Sequence, residues 1–243
     1  MAGHSKWSKV KRLKGALDSK RSKIFAKLAR EITVAAKMGG GDPGMNPRLR
    51  MILLKCRSAN MPADNIERAI KKGTGGGESA NFEDLTYEIY GPHGVALLVE
   101  VSTDNRNRTA ADVRSIVTKN NGSIATAGSV SRLFQRKGQI VVSRENGSED
   151  KLMEVALEAG AEDFKTEAEG FEILTEPASF ETVQKKIETA GIKCDVAEIT
   201  SLPTITTPLS GSAVIAAVNK LIDELEDHDD IKEVFSNAEF SDA

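Results

Sequence analysis

Between Asp18 and Met38 the apolar positions recur at helical spacing. At 100° per residue, Ile24, Phe25, Leu28, Ile32, Ala35 and Ala36 fall on one arc, with Lys20, Lys23, Lys27, Arg30 and Lys37 on the opposite one. The pattern predicts an amphipathic helix that packs with one face, shows charge on the other and ends at Gly39-Gly40-Gly41. Asn46-Pro47 is a capping side chain followed by proline at the first turn, so a second helix runs to about Ala59 and breaks at Asn60 and Met61. Pro62 opens a third helix, Asp64 to Lys72, which Gly73 is placed to end in the left-handed conformation. Gly73 to Gly77 then reads as a flexible linker.

Beyond the linker the period changes from helical to alternating. Strands near 85–90 and 95–101 flank a Gly-Pro-His-Gly turn and form a hairpin, a helix follows from Thr109 to about Asn120, and 122–128 is a loop of small residues. From Gln139 the order is strand (139–143), helix (149–159), strand (162–166), strand (171–175), helix (179–190) and strand (193–200), the ferredoxin-like β-α-β-β-α-β sequence. A Pro- and Thr-rich stretch, 201–209, precedes a helix at 211–226 and a strand at 231–236. The fragments on either side of the ferredoxin-like run are each too small to close a core, so they are expected to pair with each other. The domain expectation is therefore residues 1–77, residues 78–130 with 204–243, and an inserted domain at 131–203. The fold class is α+β: an N-terminal helical domain followed by two ferredoxin-like α/β domains, one inserted in the other.

Charge changes this picture more than composition does. Residues 1–75 hold 18 Lys and Arg against 5 Asp and Glu, whereas residues 76–243 hold 15 against 31, so a net charge of -3 conceals an electrostatic dipole. Clustered positive charge is the footprint of a polyanion partner, and an acidic remainder repels the same polyanion. Residues 1–17 carry Lys6, Lys9, Lys11, Arg12 and Lys14 around Trp7, with too little apolar content for a core. No apolar run approaches the roughly 18 residues of a membrane span, and the charged start lacks the apolar core of a secretory signal. A cytoplasmic protein with no membrane partner is expected. Cys56 and Cys194 lie far apart on patterns that read as buried helix and strand, which argues against a disulfide framework.

Signals for catalysis are sparse. His4, His93 and His228 stand at no metal-ligand spacing with a cysteine, Gly73 to Gly77 lacks the Lys-Ser/Thr of a phosphate loop, and no two acidic residues pair into an acid/base site. The expectation is no enzyme, no catalytic residue, no metal and no cofactor. Asn121-Gly122-Ser123 and Asn146-Gly147-Ser148 match the glycosylation pattern, which has no consequence in a protein that is not secreted. The second and third helices have helix-turn-helix spacing, but the second of the pair opens with Asp64 and Glu67, carboxylates that would face phosphates in a major groove; Asn65 and Arg68 remain as base-reading side chains. Arg106 and Arg108 precede the helix at Thr109, where free N–H groups favour an anion; the competing reading is a capping box of Thr109 with Asp112. Trp7 is the one aromatic of the first 75 residues off a packing face, which favours folded RNA or a duplex held by its backbone over a single strand.

Met1-Ala-Gly-His-Ser-Lys-Trp7, Lys23-Ile-Phe-Ala-Lys-Leu28, Asn60-Met-Pro-Ala-Asp-Asn-Ile66, Arg68-Ala-Ile-Lys-Lys-Gly73 and Thr103-Asp-Asn-Arg-Asn-Arg-Thr109 resemble the YebC/PmpR family along essentially the whole chain. The resemblance begins at Met1, which argues against a preceding transit peptide. It implies a helical N-terminal domain with two α/β domains and a role in gene expression without catalysis. Its members carry two descriptions: DNA-binding transcriptional regulator, and ribosome-associated translation factor, the latter including a mitochondrial translational activator for cytochrome oxidase. Asn121, where the family tends to glycine, and the bulky Met51 to Leu54 depart from the pattern.

The resulting expectation is a non-enzymatic regulator of gene expression that binds phosphate backbone through Lys6, Trp7, Lys9, Lys11, Arg12, Lys14, Lys20, Lys23, Lys27, Arg30, Arg106 and Arg108. Structured RNA on the ribosome is favoured over duplex DNA, and the acidic α/β domains are expected to orient the complex or meet a protein partner. A ferredoxin-like small-molecule sensor is the alternative from a different class.

Overall fold

The computed structural model describes residues 18–75 and 82–240, the side chains of 18–20 excepted. The chain is α+β, and its described residues divide into two compact units, one of residues 18–75 with 136–200 and one of residues 82–135 with 201–240.

In the first unit, α1 (Asp18–Gly39), α2 (Pro47–Ser58) and α3 (Ala63–Thr74) enclose a core of Leu28, Ile32, Ala35, Leu49, Ile52, Cys56 and Ala69. The apolar arc of α1 packs as its periodicity requires. Asn46 fixes the turn into α2: its Oδ1 accepts from Leu49 N–H at 3.0 Å, and its Nδ2 donates to Ala35 O and Gly40 O, each at 2.8 Å. These bonds satisfy helix-end groups of both helices with one side chain.

Gly73 corrects an expectation. It does not end α3 in the left-handed region but lies inside the helix, where a Cβ would stand 2.5 Å from Thr33 O and 2.8 Å from the Ala36 Cβ. The missing side chain lets α3 approach the backbone of α1, and Thr33 Oγ1 reaches across to Ala69 O at 3.2 Å.

The same unit contains β4 (Phe134–Ser143), α5 (Glu149–Glu158), β5 (Asp163–Thr166), β6 (Gly170–Thr175), α6 (Phe180–Thr189) and β7 (Val196–Pro203). Its sheet runs β5-β6-β4-β7, the ferredoxin-like order, with both helices on one face over Ile140, Val142, Phe171 and Ile173. The bulky stretch of α2 finds its use here. Met51 and Leu54 pack against this second core, and Arg50 Nε meets Glu181 Oε1 at 2.9 Å.

The other unit is built on the hairpin of β1 (Glu83–Tyr90) and β2 (Ala96–Thr103), with α4 (Arg106–Lys119), β3 (Ser123–Ile124), β8 (Thr207–Leu209), α7 (Ser212–Glu226), β9 (Ile231–Ser236) and β10 (Ala238–Phe240). The sheet order is β3-β1-β2-β9, while β8 and β10 pair in parallel as a separate ribbon. Leu97, Val99 and Val101 of β2 pack against Val113 and Val117 of α4 and Val218, Leu221 and Leu225 of α7. The two sequence fragments of this unit thus share one core.

Substituting Gly73→Ala tests the close approach of α3 to α1. Alanine gains about 1 kcal/mol of intrinsic helix preference, but the atom it meets is a backbone carbonyl that yields only if a helix moves. Urea unfolding is expected to show a net loss of about 1–2 kcal/mol. A gain in stability would show that the approach is not tight.

Candidate nucleic-acid interface

Of the side chains that the sequence nominates, Lys6, Trp7, Lys9, Lys11, Arg12 and Lys14 lie outside the described residues, and Lys20 is placed by its backbone alone, in the first turn of α1. Lys23 is exposed on α1, with Lys27 and Arg30 half-buried along the same side. A spacing of three and four residues keeps these cations on one line of the helix. The positive charge is broader than this line. Lys37 at the end of α1, which belongs to the same arc, is also exposed, as are Arg57 on α2 and Arg68, Lys71 and Lys72 on α3, which the whole-region charge count included and the single-helix reading left out.

The helix-turn-helix alternative loses its base-reading pair. Arg68 Nε donates to Asp64 O at 3.1 Å, and its guanidinium also bonds Asn65 Oδ1, so the two nominated side chains engage each other on the first turn of α3.

Arg106 and Arg108 sit one turn deeper than expected, because α4 begins at Arg106 and not at Thr109. Asn105 is the cap: its Oδ1 accepts from Arg108 N–H at 3.1 Å, and its own N–H donates to Thr103 Oγ1 at 3.0 Å. The Thr109–Asp112 capping box is therefore overturned. Thr109 is buried and donates to Asp230 Oδ2 at 2.7 Å, whereas Asp112 contacts His228 Nε2 at 3.3 Å.

Asp230 is 3% exposed, and its Oδ2 also accepts from Arg108 Nη2 at 2.8 Å and Thr103 Oγ1 at 3.3 Å. Arg108 reaches Asp104 Oδ1 at 2.9 Å with the same nitrogen, and the bonds to Asp230 and Asp104 raise its pKa further above the ordinary guanidinium value. Arg108 is thus ion-paired within the chain, although its side chain stays 47% exposed. Arg106 is exposed, and its charge opposes the burial that pushes the Tyr87 hydroxyl up.

A second carboxylate fills a cradle of amides. Glu88 on β1 accepts from the N–H groups of Gly128 and Val130, each at 2.6 Å, and of Ser131 at 2.9 Å. Burial pushes its carboxyl up, but these backbone bonds outweigh burial and hold the pKa below the ordinary range. They explain how the small-residue loop is fixed.

Burial pushes the thiols of Cys56 and Cys194 up to about 12, so both are protonated at neutral pH and neither is an activated nucleophile. Among the described residues no group of three or more His, Cys, Asp or Glu is arranged to hold a metal ion, and no helix is long and apolar enough to cross a membrane.

The described residues thus define an α+β protein that displays exposed cations along its three-helix region and uses the carboxylates of Asp230 and Glu88 to fix the hairpin unit. Two family models match it: the TACO1/YebC protein N-terminal domain over residues 5–76, and the TACO1/YebC second and third domain over residues 82–238. The chain belongs to the TACO1/YebC family. A probable transcriptional regulatory protein of Desulforapulum autotrophicum is 54% identical over 242 residues, covering 100% of this chain and 98% of its own. One of Elusimicrobium minutum, with the same description, is 48% identical over 237 residues, covering 98% of this chain and 95% of its own. The crystal structure of a conserved hypothetical protein from Aquifex aeolicus is similar at a TM-score of 0.82 and 43% identity, covering 93% of each chain.

Removing the Asp230 carboxylate leaves Thr109, Thr103 and Arg108 without their common acceptor. Asp230→Ala is expected to cost about 2–4 kcal/mol in chemical unfolding, and Asp230→Asn, which keeps an acceptor, about half that. Equal stability of all three proteins would refute the closing role.

Glu88 adds a pH signature. Its pKa is lowered by folding, so its contribution is fully present above the unfolded value of about 4.3 and is lost as pH falls through the folded value. Hydrogen exchange at Gly128, Val130 and Ser131 is expected to quicken, relative to the amides of β1, as pH drops below about 4. Glu88→Gln should show the fast exchange at every pH.

Proposed function

We propose that this chain is a cytoplasmic, nucleic-acid-binding regulator of gene expression that works without catalysis and grips phosphate backbone through its basic N-terminal region. The observation that carries the proposal is the charge division, 18 Lys and Arg against 5 Asp and Glu in residues 1–75 and the reverse excess beyond. Exposed Lys23, Lys37, Lys71 and Lys72 extend the cationic surface over α1 and α3. On this reading the three domains, residues 1–77, 78–130 with 204–243, and 131–203, divide the work. The first holds nucleic acid, and the acidic pair orients the complex or meets a protein partner.

Structured RNA, as on a ribosome, is the favoured target. An α3 whose first turn presents Asp64 and locks Asn65 to Arg68 is poorly suited to a major groove, and a lone Trp7 suits one splayed base better than a long single strand. The second reading, transcriptional regulation at duplex DNA, is favoured by the description that the relatives carry.

Binding held by about six phosphates falls on the order of a thousandfold between 50 and 200 mM salt on duplex DNA, and somewhat less steeply on single strands. The triple variant Lys20→Ala, Lys23→Ala, Lys27→Ala is expected to flatten the salt slope by about two to three units and weaken binding, with little change in thermal midpoint. Affinity at one fixed salt should be higher for structured RNA than for duplex DNA of equal length. A flat salt response of the unsubstituted protein would sink the electrostatic grip, and tighter binding to one DNA sequence would favour the second reading.

A further inference from the structure

The end of α1 and the turn that joins it to α2 present two methionines to solvent: Met38 is 71% exposed and Met45 80%. Single exposed apolar side chains are ordinary. Two on one turn, held by a rigid frame, are a different matter. Asn46 clamps the turn through Ala35 O and Gly40 O, with Gly40 in the left-handed region at φ 84. Met45 N–H and Asn46 N–H donate to Asp42 O at 3.1 and 2.9 Å, Gly44 N–H donates to Asp42 Oδ1 at 2.8 Å, and Arg50 Nη1 donates to Pro43 O at 2.7 Å. The bonds that order this backbone leave both side chains largely in water, with Met38 Sδ accepting from Arg48 Nη1, so each forgoes the burial that a collapsed loop would give it.

The surroundings identify an occupant. Lys37 precedes Met38 and is exposed, and Arg48, three residues after Met45, places Nη1 3.4 Å from Met38 Sδ. The one carboxylate of the turn, Asp42, is engaged by Gly44 N–H. Apolar, polarisable side chains flanked by cations match a nucleobase face with phosphates on either side, and methionine is among the residues that proteins insert against unstacked bases. Resting on the nucleic-acid reading above, we infer that the Met38–Met45 turn is a base-contacting tip, which seats an unpaired base of structured RNA against its thioethers while Lys37 and Arg48 meet the adjoining phosphates.

The test uses the full chain, a stem–loop RNA and the fully paired RNA duplex of the same stem. The double variant Met38→Gln, Met45→Gln keeps side-chain length and helix preference but removes the apolar surface. Its affinity for the stem–loop is expected to fall roughly five- to thirtyfold at fixed salt, with the salt slope and thermal midpoint unchanged, because no phosphate contact and no core contact is lost. Affinity for the paired duplex should change less than about twofold, and Met38→Leu, Met45→Leu should retain stem–loop binding within about threefold. Unchanged stem–loop affinity in the Gln variant, or an equal loss on both RNAs, overturns the tip. An unsubstituted protein that binds neither RNA, or binds with no salt dependence, overturns the electrostatic reading beneath it, a result distinct from the first.

Discussion

The unit built on the β1–β2 hairpin leaves off near residue 135 and resumes at 201, so it must be closed by contacts between separate stretches of chain. The Asp230 carboxylate supplies the most specific of these. It stands just before β9, in the second stretch, and takes its donors from Thr103, Arg108 and Thr109 in the first. At the far end of the same strand Asn237 repeats the device: its Oδ1 accepts from Ala96 N–H at 2.8 Å and its Nδ2 donates to Thr207 Oγ1 at 3.0 Å. The β2–β9 ladder runs between these anchors, with a register shift at Glu100/Val101. Apolar burial across the ladder supplies the larger energy, but an apolar strand shifted along its partner could bury similar area. Polar groups with fixed partners make the slipped registers costly, since a displaced Asp230 would be buried without donors.

The helical region follows the same division of labour. Its core is apolar, but Asn46 decides how α1 meets α2, and the absence of a side chain at Gly73 decides how near α3 comes. Helix α2 then serves two cores at once, with Leu49 and Ile52 turned toward α1 and α3, and Met51 and Leu54 toward the ferredoxin-like sheet. A helix buried on two sides cannot rotate to relieve one of them. The exposed cations of the three helices are consequently displayed from a fixed frame and not from a loosely tethered bundle.

Periodicity and capping made the three N-terminal helices legible to within a residue or two, because Asn46-Pro47 and the α1 stripe are local signals. The ferredoxin-like order was legible for a related reason: alternating strands and amphipathic helices of ordinary length each carry their own pattern. What failed depended on distant partners. Thr109 has the side chain of a cap, but its acceptor lies 121 residues away in Asp230, and the cap is Asn105. Gly73 has the composition of a stop signal, but the neighbouring helix uses it for clearance. β3, β8 and β10 span two or three residues, too short for any alternation to register, and the first residues of β4, Phe134-Gln-Arg-Lys, carry no alternating pattern.

The pairing of Arg108 with Asp104 and Asp230 has a consequence for where a polyanion can bind. Backbone amides converge in two places in the hairpin unit, at the start of α4 and at residues 128–131, and each convergence would suit a phosphate by geometry alone. Glu88 fills the second with bonds of 2.6–2.9 Å to backbone amides, whereas Asp230 stands beside the first and binds the side chains of Arg108 and Thr109, with Asn105 capping the helix. A phosphate entering the second place must displace the Glu88 carboxylate, one at the first meets the neighbouring Asp230 carboxylate, and both approach against the net negative charge of residues 76–243. The helical region carries the opposite balance, and its exposed Lys23, Lys71 and Lys72 lie on helices that share an apolar core. Internal carboxylates in the hairpin unit and exposed cations on the helices therefore bear on the same question from two sides: the first disfavour a polyanion there, and the second leave the helical region as the more cationic surface.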